Sequence, residues 1–299
     1  MSAAARRNIT PNQTVSVAFQ GELGAYSQKA VYSFFGRDQV KVVPLPTLQR
    51  VFDVLCHKND APGFAVVPIE NSTAGSVGET VDLLISRNVR IVGETSVPVE
   101  HCLIIHKDSD LGKIKKVMSH PQALAQCREY LDRNGRNWEQ ISVYDTAGSI
   151  KMISDQELKD SAGIASELAA EIYGMKIVAK GIEDDHSNTT RFIVIEDAEK
   201  KSTVSNEPTG HDKTSAIFST KHEPGCLVRA LSALSFRGIN LDRIESRPIR
   251  GKPWEYYFYV DFSGHIAEEA CKKALEDLRY QCEEVKVLGS YPRRLGEFN

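Results

Sequence analysis

Val15-Ser16-Val17-Ala18-Phe19-Gln20-Gly21-Glu22-Leu23-Gly24-Ala25-Tyr26-Ser27 opens on a β-rich run and turns on two glycines before residues at helical spacing begin. A strand is expected over 15–19, a turn over 21–24 and a helix over about 27–35. The unit then repeats. Residues 40–44 read as a strand. Thr47 is placed to N-cap a helix whose apolar positions Leu48, Val51, Phe52 and Leu55 fall on one face. Residues 64–68 read as another strand, ending in a polar loop at 70–75, and Val77, Val81, Leu84 and Ile85 mark the next helical face. This βαβα rhythm predicts a mostly parallel sheet covered by helices.

The rhythm then pauses and restarts. Strands near 89–92 and 101–105 flank Pro98, followed by a strand at 116–119 and a helix with Pro121 in its first turn. A strand over 141–144 precedes a helix that Thr146 can cap. Residues 162–165 lead into a helix over 167–173 closed by Gly174, and strands near Ile177 and Phe192 complete the region. Two lobes with a ligand crevice between them are expected. The polar stretch 197–212 reads as a linker. After it come a strand, a helix, two strands, a helix and a strand, the βαββαβ order of a ferredoxin-like domain. One open face and the edge strands of so small a sheet invite pairing with a second copy.

The composition narrows the class of function. A chain of 299 residues with 41% hydrophobic and 26% charged residues is ordinary for a globular protein of two domains. A formal net charge of -3, with both signs interspersed, offers no basic stripe for nucleic acid or an anionic membrane. No apolar run reaches the ~20 residues of a membrane-spanning helix. Residues 1–13 lack the apolar core of a secretory signal and are short for a transit peptide. Cys56, Cys102, Cys127, Cys226, Cys271 and Cys282 are scattered without metal spacing, so buried reduced thiols in a cytoplasmic protein are expected. Sequons at Asn8, Asn12, Asn71 and Asn188 then have no consequence. Asp184-Asp185-His186 reads as an acidic turn rather than a metal site, and His101 and His106 as structural.

Four polar loops follow predicted strands, at 21–27, 70–76, 119–122 and 145–149, where open α/β sheets bind ligands. Three of them open helices, whose free N–H groups and positive dipole ends suit a carboxylate. Capping accounts for each loop singly; as a set they leave plain capping and a cleft for a small anion as alternatives. Gly21 and Gly24 lack dinucleotide-binding spacing. Thr190 and Arg191, before the apolar run Phe192-Ile193-Val194-Ile195, are either an ordinary strand start or a hydroxyl and guanidinium presented together.

Thr190-Arg191-Phe192 after Gly181-Ile182-Glu183-Asp184-Asp185 resembles the signature of the prephenate and arogenate dehydratases. Pro68-Ile69-Glu70-Asn71-Ser72, Gly24-Ala25-Tyr26-Ser27 and Ser119-His120-Pro121-Gln122-Ala123-Leu124 resemble other blocks of that family. Glu245-Ser246-Arg247-Pro248 and Gly225-Cys226-Leu227-Val228 are similar to the two sensing motifs of its phenylalanine-binding ACT domain, with cysteine at 226 where the family usually has alanine. The likeness runs in order from about Val15 to Leu295.

The resemblance implies a type II periplasmic-binding-like catalytic region over 14–196, its second lobe about 98–186, a linker over 197–212 and an ACT domain over 213–295. It implies loss of water and CO2 from a cyclohexadienol, with no cofactor and no metal. Without room for a helical mutase before the first strand, a monofunctional enzyme is expected. By the same resemblance Thr190, Arg191 and Phe192 form the catalytic triplet. Thr190 hydrogen-bonds the departing oxygen, and Arg191 either binds a carboxylate or braces the strand through Glu70 or another acid. Ala25, Tyr26, Asn71, Ser72, Gln122, Thr146 and Ser149 are the expected substrate contacts. Phenylalanine is expected at Gly225, Cys226, Leu227, Val228, Asn240, Glu245, Ser246, Arg247 and Pro248, in a homodimer or homotetramer joined through ACT domains. Prephenate is the expected substrate. Arogenate, or a non-catalytic amino-acid sensor on the same folds, are the alternatives.

Overall fold

The computed structural model describes residues 14–57 and 61–293. The N-terminal reading, the sequons at Asn8 and Asn12 and the last two residues of the expected 213–295 domain lie outside them.

The first lobe runs β1 (Val15–Gln20), α1 (Tyr26–Phe35), β2 (Val40–Leu45), α2 (Leu48–Leu55), β3 (Phe64–Asn71), β4 (Gly75–Ser76), α3 (Gly78–Ser86) and β5 (Val89–Pro98). The amphipathic spacing acts as expected in α2, where Thr47 accepts from the Arg50 N–H at 3.2 Å and Leu48, Val51, Phe52 and Leu55 are all buried. Each such side chain contributes about 1.5–3 kcal/mol on burial. β3 extends beyond the expected 64–68, because Glu70 and Asn71 find polar partners on a neighbouring strand rather than in water.

The second lobe contains β6 (Cys102–Ile105), β7 (Lys116–Ser119), α4 (Pro121–Gln126), α5 (Arg128–Asn134), β8 (Glu139–Ser142), α6 (Thr146–Asp155), β9 (Ser161–Ala165), α7 (Glu167–Tyr173) and β10 (Lys176–Lys180). Asp145, not Thr146, caps α6: its carboxylate accepts from the N–H groups of Ala147 and Gly148, and Thr146 is the first helical residue. The chain then returns to the first lobe as β11 (Thr189–Asp197), which inserts between β3 and β5 in the order β2-β1-β3-β11-β5. β1, β2 and β3 are parallel, whereas β11 is antiparallel to both its neighbours. The second sheet, β10-β6-β9-β7-β8, is likewise mixed. The expected mostly parallel sheet is therefore two mixed ones, because two crossings between lobes each add antiparallel strands.

The C-terminal domain comprises β12 (Asp212–Ser219), α8 (Cys226–Ser235), β13 (Leu241–Pro248), β14 (Tyr256–Ser263), α9 (Glu269–Gln281) and β15 (Glu284–Pro292). Its antiparallel sheet runs β13-β14-β12-β15, the ferredoxin-like order. Ala216, Phe218, Val260 and Phe262 pack under its two helices. The other face, expected to be open, packs on the first lobe: Ile217, Tyr259, Leu288 and Tyr291 share a core with Ile193 and Ile195 of β11. β15 approaches β5 so closely that a Cβ at Gly289 would collide with the Ile91 carbonyl.

Candidate active site

The parallel strands of the two sheets point their C-terminal ends at one another. The loop after β1 meets the loops after β8 and β9. The Glu22 N–H donates to Asp145 Oδ2 at 2.9 Å, and the Ser166 hydroxyl donates to the Gly24 carbonyl at 2.6 Å. Gly24 has φ of +92°, and a Cβ there would lie 2.5 Å from Ala169 Cα. Glycine is thus what lets the first lobe seat on α7. Lys151 Nζ and the Tyr144 hydroxyl both reach the Glu22 carboxylate.

The two crossings between lobes run side by side. Thr189 pairs with Pro98 across the sheet, and the Val99 N–H donates to the Asn188 carbonyl at 2.9 Å. Beside them the Tyr26 hydroxyl donates to the Glu100 carbonyl (2.7 Å) and meets His101 Nδ1 (2.9 Å). His101 Nε2 faces Gln126 Oε1 at 3.1 Å, and its main-chain N–H donates to Glu183 Oε2 at 2.7 Å. Burial lowers the His101 pKa and raises that of Tyr26 well above its ordinary value. Burial works to raise the Glu183 pKa, yet the hydrogen bonds from His101 and His186 leave it lowered. His101 therefore has the structural part expected of it, at the hinge.

Thr190 is the second residue of β11, directly beyond this hinge. Asn71 Nδ2 donates to Thr190 Oγ1 (2.9 Å) and to Asn188 Oδ1 (2.7 Å). Asn71 Oδ1 accepts from the N–H groups of Thr73 and Ala74. The Ser72 hydroxyl oxygen accepts from the Thr189 N–H at 2.9 Å. Asn71, Ser72 and Thr190 are thus brought together, with the Asn71 amide spent on the protein itself. Asn188, noted in the sequence only as a sequon, is the added member. Gln126 carried no signal, since its role depends on the packing of α4 against the hinge.

Alternation along β11 separates the rest of the triplet. Phe192 and Val194 share Thr190's face, and Phe192 is a core side chain, 2% exposed. Arg191 points to the opposite face. Its guanidinium lies 3.0 Å from Glu70, 3.7 Å from Glu94 and 3.1 Å from Asp261 of β14. Burial works against its charge, but Asp261 and Glu94 outweigh that and hold it protonated. Of the two parts expected for Arg191, bracing is the one this geometry fits, with Asp261 and Glu94 joining Glu70.

The other expected contacts are dispersed. Ala25 is the N-cap of α1, which has no side-chain cap. Gln122 is exposed, and its N–H donates to His120 Nδ1 at 3.3 Å. Ser149 is wholly buried and gives its hydroxyl to the Thr146 carbonyl at 2.6 Å, so it serves the helix rather than a ligand. At α6 the protein's own Asp145 carboxylate occupies the N-terminus expected to take a substrate anion.

In the C-terminal domain a cavity of about 330 Å³ is lined by Gly225, Cys226, Leu227, Val228, Trp254 and Tyr256 among others. Glu245 and Arg247 are not in that lining. Both face the first lobe: Glu245 accepts from the Ser76 hydroxyl, and Arg247 holds Asp82 of α3 by two hydrogen bonds of 2.7 and 2.6 Å. Arg243 donates to the Ile69 carbonyl (3.2 Å) and to Ser76 (2.7 Å). Ser246 and Pro248 take the outward positions, and Asn240 bonds Asp242 at 2.7 Å.

Two lobes joined by paired crossings, with polar loops at facing sheet ends, define an enzyme of the periplasmic-binding-like type. The family model described as prephenate dehydratase matches residues 17–200, and the chain belongs to that family. It is 39% identical over 294 residues to arogenate dehydratase/prephenate dehydratase 2, chloroplastic, of Arabidopsis thaliana, covering 95% of this chain and 74% of that one. It is 39% identical over 288 residues to the bifunctional chorismate mutase/prephenate dehydratase of Aquifex aeolicus, covering 96% and 76%. A prephenate dehydratase from Arthrobacter aurescens, solved in complex with L-Phe, matches at 30% identity and a TM-score of 0.84 over 93% of this chain and 90% of that one. A structure titled GqqA, a novel type of quorum quenching acylase, matches at 32% identity and a TM-score of 0.84 over 93% and 98%.

Proposed function

We propose that the chain catalyses the decarboxylating dehydration of prephenate to phenylpyruvate, under control by phenylalanine. The carrying observation is Thr190, held by Asn71 at the start of β11 beside the hinge. In the step, the bond from the ring to its carboxylate breaks and CO2 departs. The electron pair enters the ring, the C–O bond opposite breaks, and the leaving hydroxyl takes a proton to become water. Aromatisation supplies the driving force. Thr190 donates a hydrogen bond to the departing oxygen, a form of electrostatic and general-acid assistance worth ~10²–10⁴-fold. Arg191 braces β11 without touching substrate. The uncapped N-terminus of α1 suits a substrate carboxylate.

Arogenate differs from prephenate only in carrying an amino group for the keto group, and the 39% relative named for both activities keeps it as the second substrate to test. An acylase reading follows the GqqA likeness. Thr190 as nucleophile requires a base to accept its proton, and its partner is an amide N–H, which donates. Geometry therefore favours dehydration.

In this reading residues 213–293 belong to an ACT domain, and phenylalanine occupies the cavity at Gly225 where a second copy completes it. Ser246 and Pro248 meet the partner in a homodimer or homotetramer, while Glu245 and Arg247 transmit to the lobe. Six free cysteines suit the reducing cytoplasm. No helix among the described residues is long and apolar enough to cross a membrane. The test is turnover of prephenate, arogenate and an N-acyl amide by the purified protein, each with and without phenylalanine. Turnover of the amide alone overturns the reading.

A further inference from the structure

The orientation of the Asn71 amide is chemically fixed. The atom facing the N–H groups of Thr73 (3.1 Å) and Ala74 (2.8 Å) must be oxygen, because a main-chain N–H only donates. The nitrogen therefore faces Asn188 Oδ1 and Thr190 Oγ1, one hydrogen to each. Thr190 Oγ1 is then an acceptor, which leaves its own hydrogen for another oxygen. Asn188 is 2% exposed, so its side chain faces protein rather than solvent.

We propose that Asn188 is a positioning residue for dehydration, its Oδ1 fixing Asn71 so that the Thr190 hydroxyl hydrogen is directed at the leaving group. The inference rests on the dehydratase reading. Removing the Asn188 side chain leaves a buried N–H of Asn71 unpaired, which is costly. The nearest alternative acceptor is the Thr189 carbonyl, already 3.4 Å from the same nitrogen. Tilting toward it withdraws the hydrogen from Thr190, whose hydroxyl is then free to rotate. The crossing itself survives, because Asn188 holds Val99 through its main-chain carbonyl.

The test is steady-state kinetics on prephenate and arogenate for wild type, Asn188→Ala, Asn188→Asp and Thr190→Ala, with the unfolding midpoint of each. Asn188→Ala is expected to lower kcat about 10–100-fold, with KM within about two-fold. Asn188→Asp, which keeps the acceptor oxygen, recovers most of the rate. On a Thr190→Ala background Asn188→Ala costs little more, since both act through one hydroxyl. Asn188→Ser, too short to reach Asn71, serves the same comparison if the alanine variant does not fold. Wild-type kcat in Asn188→Ala, or an undiminished further loss on the Thr190→Ala background, overturns the proposal alone. A wild type that turns over neither substrate overturns the dehydratase reading, and this inference with it.

Discussion

Arg191 Nη2 and Asp261 Oδ2 lie 3.1 Å apart, joining the strand that carries Thr190 to the C-terminal domain. Asp261 is 1% exposed and also accepts from the Ser215 hydroxyl at 2.6 Å, while Lys213 holds Glu94 at 2.8 Å beside the same guanidinium. Breaking one partner of such a buried pair strands the other charge, at about 3–5 kcal/mol. Arg191→Met leaves the buried Asp261 carboxylate without its cation and is therefore expected to lower unfolding stability by that amount in urea titration. Adding Asp261→Asn to it recovers part of the loss, because that buried charge is then gone.

This relationship also marks where sequence reading stops. The strands and helices of both lobes were legible from period-2 and period-3.6 patterning, and residues 116–119 matched a strand end to end. That Arg191 and Thr190 face opposite ways was not read from the sequence, which left open that the two are presented together. What no local pattern carried was the insertion of β11 between β3 and β5, because its partners lie about 100 residues upstream. Without that pairing Asn71 looked like a loop residue free for substrate, and Asn188 had no evident partner. Glu245 and Arg247 were likewise assigned to an effector, since nothing in the sequence placed the first lobe against that face of the sheet.

Gly289 gives the contact between domains a steric test. A methyl group there has no room against the Ile91 carbonyl, which is backbone and cannot rotate away. Gly289→Ala is expected to separate β15 from β5 and cost about 1–3 kcal/mol. Proteolysis of the 198–211 segment should quicken in the variant, as read by the rate of appearance of two fragments.

The route from effector to active site is expected to pass through β13. Arg247 holds Asp82 of α3, and Glu245 and Arg243 hold Ser76 and the Ile69 carbonyl, either end of the segment bearing Asn71. Asp82→Asn weakens a half-exposed ion pair and leaves the crevice residues untouched. It should preserve kcat while raising the phenylalanine concentration needed for half-maximal effect several-fold.

The hinge carries a pH signature. Burial lowers the His101 pKa from its ordinary 6.5. The unfolded chain then binds the extra proton more readily, so stability falls as pH drops through about 6.5 toward the folded value. His186, fully exposed and raised by Glu183, contributes in the opposite sense but is screened by solvent. Comparing wild type with His101→Gln cancels that term. The fall in Tm between pH 7.5 and about 5.5 should be steeper in wild type than in the variant, by scanning calorimetry.

The most direct measurement follows CO2 and the aromatic product together, from prephenate labelled at the ring carboxylate. Wild type is expected to release one CO2 per phenylpyruvate formed, and Thr190→Ala to lower kcat ~10²-fold or more with KM little changed. Label retained in the product, or a Thr190→Ala enzyme within a few-fold of wild type, would contradict the dehydratase reading.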